Sequence, residues 1–292
     1  MPAPSTREAA LPVFFSVLAL EFTTFRAYNE LKAANMIISA AYCFGVPFML
    51  QLAGAIAIEP GKQLPQKVVA NVQDDKGQQQ QTIHYLLFTP RGYGDGQSKW
   101  PLLLFLHGLG ECGDDQLDRV KVHGPPKLVE MRPDFPFVVV SPQCLPPPGG
   151  FRDVPTAWKP EPLIQLVDHV VANMRIDPAR VYVTGLSMGG YGTWRLVAAH
   201  PARFAAALPI CGGGEPRAMA DVARQVPIWA FHGALDPTVP LSASQEMVDA
   251  VRRAGGDVRF TVYPDVAHDS WKRAYANAEV YDWLLSHRGP LP

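Results

Sequence analysis

A serine, an aspartate and a histidine, in that chain order, are the residues whose setting in this sequence points to chemistry. Ser187 lies in Gly185-Leu-Ser187-Met-Gly189, after a β-branched run at 181–183 and before a helix-compatible segment at 190–200. A strand, a sharp turn and a helix form the setting in which such a serine acts as a nucleophile. The glycines let the backbone turn so tightly that the serine is strained and its hydroxyl raised, and negative charge is favoured at the helix start that follows. The plain alternative is a glycine-rich turn that packs a helix on a sheet. A hydroxyl attacks poorly until an imidazole takes its proton, and that imidazole needs a carboxylate to fix its tautomer.

The elements supply both. Apolar runs at 83–89, 101–107, 137–140, 181–183, 204–210, 227–232 and 258–263 read as strands, with an edge strand at 67–73 and helices at 163–174, 190–200 and 274–286. Alternating strands and helices give a mostly parallel sheet covered on both faces, with function gathered beyond the carboxyl ends of the strands. Asp236 follows the strand ending at His232, and His268 follows the strand ending at Tyr263. Asp265 and Asp269 flank His268 but stand too close in sequence to reach its far nitrogen. His232 ends a strand and reads as shaping the turn that carries Asp236.

His107-Gly-Leu-Gly-Glu111 follows the first central strand. Its glycines let the Leu109 N–H face the site, where with the Met188 N–H it would hold a tetrahedral oxyanion, each donor contributing ~3 kcal/mol. His107, Asp114 and Asp115 lack metal-ligand spacing, so no metal and no cofactor is expected. Cys43, Cys112, Cys144 and Cys211 form no paired motif. Cys112 and Cys144 fall on the same sheet edge, where a disulfide and buried thiols are alternatives.

Twenty-six basic and 27 acidic residues, with a net charge of −1 and no long run of either sign, give no support for nucleic-acid binding. From Ala33 to Ile58 there is no charged residue. We read residues 1–58 as an N-terminal export signal cleaved after about Ala55 or Ala57, with an uncleaved membrane anchor, or a buried helix broken by Gly45 and Pro47, as alternatives. Met36 is a candidate start, with 1–35 an over-extended reading frame. Residues 59–292 form the catalytic domain. The expected location is secreted or periplasmic, or the membrane if the segment is retained.

Several motifs together carry a resemblance. His107-Gly-Leu-Gly-Glu-Cys-Gly-Asp-Asp115, Gly185-Leu-Ser-Met-Gly-Gly-Tyr-Gly-Thr-Trp194, His200-Pro-Ala-Arg-Phe204, Pro209-Ile-Cys-Gly-Gly213, Phe231-His-Gly-Ala-Leu-Asp236 and the His268 loop occur in order. The set resembles the phospholipase/carboxylesterase and dienelactone-hydrolase branch of the α/β-hydrolases, and in particular secreted esterases labelled predicted peptidases, some feruloyl-esterase-like. It spans about 68–288. The resemblance implies an α/β-hydrolase fold, a Ser187, Asp236 and His268 triad, and Leu109 and Met188 as oxyanion donors. Val266-Ala-His268 departs from it, since a glycine often precedes that histidine.

The expected reaction is carboxylic ester hydrolysis through a serine acyl-enzyme. A serine peptidase and a non-catalytic binding protein on the same fold are the alternatives. The short connection at 212–225 leaves no room for a large cap. We therefore expect an open cleft rimmed by Trp158 and Trp271, suited to an ester on a polymeric carrier such as acylated or feruloylated polysaccharide.

Overall fold

The apolar runs that dominate the sequence pair side by side. In a computed structural model that describes residues 56–74, 77–220 and 222–290, they build one sheet of eight strands. Strands β1 (Gln63–Asp74) and β2 (Gly77–Phe88) form an antiparallel pair at one edge. Next come β3 (Trp100–Leu106), β4 (Val138–Pro142), β5 (Ile176–Leu186), β6 (Ala206–Ile210), β7 (Ile228–Gly233) and β8 (Val258–Tyr263). The order across the sheet is β1-β2-β4-β3-β5-β6-β7-β8. β2 meets β4 antiparallel, and every pair from β4 to β8 is parallel.

Side chains alternate between two faces along each strand, and both faces are covered. Leu102, Leu104, Leu106, Val181 and Val183 look toward one layer; Leu103, Phe105 and Tyr182 look toward the other. The first layer holds α2 (Pro160–Asn173), α3 (Met188–Ala199) and α4 (Leu241–Arg253), packed through Leu166, Val170, Trp194, Leu196, Met247 and Val251. The second holds α1 (Gly124–Val129), α5 (Trp271–Ala276) and α6 (Ala278–Leu285), packed through Val129, Ala274, Tyr281 and Leu284. A strand buried on both faces has no use for polar alternation, which is why β3 reads as a continuous apolar run. Among its described residues, the connection from β6 to β7 holds a short 3-10 turn, Pro216–Met219, and no cap.

Several elements differ from the sequence reading. Residues 177–180, read as a connection, lie within β5, because the strand already pairs with β3 at Ile176 opposite Trp100. α1 and α4 cover stretches to which no element was assigned. The helix expected at 274–286 is two helices, since Asn277 leaves helical geometry and its side chain accepts the Glu279 N–H, starting α6 afresh. No helix among the described residues is long and apolar enough to cross a membrane. The export-signal expectation lies, up to residue 55, outside the described residues.

Candidate active site

β5 ends at Leu186 and α3 begins at Met188, so Ser187 alone makes the turn, at φ 53° and ψ −115°. A positive φ is costly for a residue with a Cβ, and surrounding contacts enforce it. The Ser187 N–H donates to the Ile210 carbonyl at 2.9 Å, and the Tyr191 N–H donates to the Ser187 carbonyl at 3.0 Å. Space is the other constraint. A Cβ on Gly189 would lie 1.9 Å from the Leu106 carbonyl oxygen. The start of α3 therefore rests directly on the end of β3.

β7 and β8 are neighbours, and the loops after them bring the other two side chains to the serine. The Ser187 hydroxyl donates to His268 Nε2 at 3.0 Å, and His268 Nδ1–H donates to Asp236 Oδ2 at 2.7 Å. The Asp236 side chain is fully buried, whereas His268 keeps a partly open face. A buried carboxylate needs partners. The other oxygen, Oδ1, accepts the N–H groups of Thr238 and Val239, both at 2.9 Å. His232 lies behind: its Nε2 is 3.0 Å from the Val239 carbonyl and 3.3 Å from Asp236 Oδ2, and its Nδ1 is 2.7 Å from the Ser244 hydroxyl. Burial holds the His232 pKa below the ordinary imidazole value. It serves as a neutral brace for the Asp236 loop, not as a base. Asp265 faces Arg273 and Asp269 faces Lys272, both at the exposed surface.

β3 and β5 lie side by side with Leu106 opposite Gly185. Leu109 and Met188 therefore leave the sheet at adjacent points, three residues beyond that pair. Among the described residues, neither backbone N–H has a partner outside its own helix. Two free donors at the mouth of the elbow suit an oxyanion. The Leu109 loop is anchored by groups that sequence reasoning did not single out. The Gly108 N–H donates to Glu111 Oε2 at 2.8 Å. Gln143 Nε2 donates to the Glu111 carbonyl at 2.9 Å, and the Cys144 N–H donates to His107 Nε2 at 2.9 Å. Burial pushes the His107 pKa down to about 4 and raises that of Glu111. The available signal was spacing: a carboxylate three residues after a turn's first amide can reach back to it.

The two expected cleft tryptophans separate. Trp158 does not rim an opening. It is 4% exposed, its indole N–H donates to the His107 carbonyl at 3.3 Å, and its ring packs over Gly192. An apolar ring gains more by covering the β3 end than by facing water. Trp271 does stand at the site, its ring nearly perpendicular to that of His268 with centres 5.2 Å apart, and with the His123 ring centre 5.4 Å away. Cys112, Cys144 and Cys211 are free thiols; the Cys112 thiol points to Met188 Sδ at 4.0 Å, and the Cys144 thiol donates to the Ala157 carbonyl at 3.7 Å. Among the described residues, Cys211, Asp236 and His268 bring donor atoms within 4.8 Å of one another. Asp236 and His268 already engage each other there, and burial pushes the Cys211 thiol up to about 12, so the thiolate a metal would need is disfavoured.

Residues 161–281, which hold all three relay side chains, match the dienelactone hydrolase family. Those residues form a dienelactone hydrolase family domain, and the chain has the α/β-hydrolase fold. A solved thermostable esterase is 33% identical, with a TM-score of 0.59 over 76% of this chain and 63% of that chain. The bifunctional acetylxylan esterase/xylanase XynS20E of Neocallimastix patriciarum is 26% identical over 65% of this chain and 26% of its own length. Poly(3-hydroxyalkanoate) depolymerase C of Paucimonas lemoignei is 55% identical over 49 residues, 17% of this chain and 12% of its own. The chain thus spans less than two thirds of each of these proteins.

Proposed function

We propose that the chain is a carboxylesterase-type serine hydrolase. Ser187 attacks the ester carbonyl, His268 takes its proton and passes it to the leaving alcohol, and Asp236 holds the imidazole. The N–H groups of Leu109 and Met188 receive the oxyanion, and water then releases the acid. The relay from Asp236 Oδ2 through His268 to the Ser187 hydroxyl, at 2.7 and 3.0 Å, carries this reading. Esterase names among the similar proteins support it. We extend it to an ester on a polymeric carrier. The short connection from β6 to β7 and the polymer-directed names of two relatives support that extension. Export through the segment at 33–58 belongs to the same reading, and detection of the chain outside the cytoplasm of its native cells would test it. The deciding experiment is p-nitrophenyl acetate hydrolysis by the wild type and by Ser187→Ala. Loss of the serine should lower kcat roughly 10⁴–10⁶-fold, together with loss of fluorophosphonate labelling. An unchanged rate would remove the enzyme reading, and turnover of peptides in place of esters would favour a peptidase.

A further inference from the structure

Glu111 is an uncommon residue to find where it lies. Its side chain is 9% exposed, and its nearest charged-type partner is the His123 imidazole, whose Nε2 stands 3.8 Å from Oε1. A buried carboxylate without a close cation is costly to keep. The other oxygen accounts for its presence, since Oε2 accepts the Gly108 N–H at 2.8 Å in a buried setting. The Glu111 N–H points back to the Gly108 carbonyl at 3.4 Å. The two contacts close a ring around Leu109 and Gly110, so the residue carrying the free N–H is held between both ends of one clasp. Gly108 is part of the fit: a Cβ there would lie 2.8 Å from Leu186 Cδ1 and 3.1 Å from Glu111 Oε2. Gln143 pins the Glu111 carbonyl from the end of β4 at 2.9 Å, so the ring is fixed to the sheet as well as to itself. Beyond His123 the rings continue through Trp271 to His268. The same carboxylate therefore borders both the oxyanion loop and the wall behind the base.

We propose that Glu111 is the positioning residue of the oxyanion loop, holding the Leu109 N–H at its working angle by clasping the preceding amide. This rests on the ester-hydrolysis reading above. A negative charge near a developing oxyanion is unfavourable in itself, so the hydrogen bond, and not the charge, is the useful part of the side chain. Glu111→Gln keeps an acceptor oxygen and loses the charge. It should retain kcat within about threefold. Glu111→Ala loses the acceptor, and Glu111→Asp keeps the charge without the reach. Both should lower kcat roughly 10–100-fold with KM changed less than about threefold, since a misplaced donor is missed only in the transition state.

The test is p-nitrophenyl acetate kinetics on the full chain for the three variants, with inhibition by a boronic acid that mimics the tetrahedral state. Boronate affinity should weaken in parallel with kcat. Hydrogen exchange at the Gly108 amide, read without substrate, should be slow in the wild type and Glu111→Gln and fast in the other two. Wild-type kcat in Glu111→Asp, or equal losses in Glu111→Gln and Glu111→Asp, would overturn the proposal. The same two variants decide the matter if Glu111→Ala does not fold. A wild type with no esterase activity but the expected exchange pattern would refute the ester-hydrolysis reading while leaving the clasp intact. A Gly108 amide that exchanges alike in all four proteins would refute the clasp itself.

Discussion

Ser187 combines a strained backbone with close contacts that stop it relaxing. Its φ of 53° survives because Gly189 lets α3 sit against the carbonyl at the end of β3. Gly189→Ala should therefore be more damaging than its size suggests. A methyl group 1.9 Å from the Leu106 oxygen must push the helix away from the strand. A stability loss of about 4 kcal/mol or more is expected, at the severe end for single substitutions. Urea denaturation followed by circular dichroism would measure it, and a loss under about 1 kcal/mol would contradict the packing described. The serine, aspartate and histidine could be read from sequence because each follows an apolar run, and strand ends converge in a parallel sheet. Glu111 and Gln143 were not singled out. Their value lies in contacts to backbone groups: the three-residue spacing from Gly108 was the one signal for Glu111, and the pattern of side-chain types holds none for Gln143.

The elements divide in the same way. The central strands were legible because burial on both faces makes them apolar throughout, and the elbow because strand, glycines and helix follow one another. α4 was missed: it presents Met247, Val248 and Val251 to the core, but polar and charged residues surround them and dilute the apolar signal. Trp158 was assigned to a rim because a proline-rich loop suggests exposure, yet its own ring turns inward to cover the end of β3. There it sits against His107, which has a consequence for stability. The ordinary imidazole value is 6.5, and burial lowers that of His107 to about 4. The unfolded chain thus accepts a proton that the folded chain refuses. The stability this represents is complete above about pH 6.5 and is lost as the pH falls toward 4. The loss from this residue should reach about 2–3 kcal/mol by roughly pH 4.5. Denaturant midpoints at pH 7.5 and 4.5 should show a smaller drop in His107→Asn than in the wild type.

At the scale of the molecule, both core layers and every strand that carries a relay residue lie within 63–285. A chain beginning at residue 56 should therefore fold and keep kcat/KM within about twofold of the full chain on p-nitrophenyl acetate. A collapse in activity after removal of residues 1–55 would show that the N-terminal part contributes to the site. The fold class was legible from the alternation of strands and helices alone. The division of helices between the two faces was not, because it depends on which of two alternating side-chain sets each helix meets.

Trp271 lies in ring contact with two imidazoles, those of His268 and His123. An indole in van der Waals reach of imidazole loses emission when that ring gains a proton, so the molecule carries its own optical indicator. Subtracting the emission of Trp271→Phe from that of the wild type isolates one signal among six tryptophans. His123→Asn removes the second ring. The remaining signal would report on the contact between Trp271 and His268, and it should change once an inhibitor bonded to the serine shifts that ring.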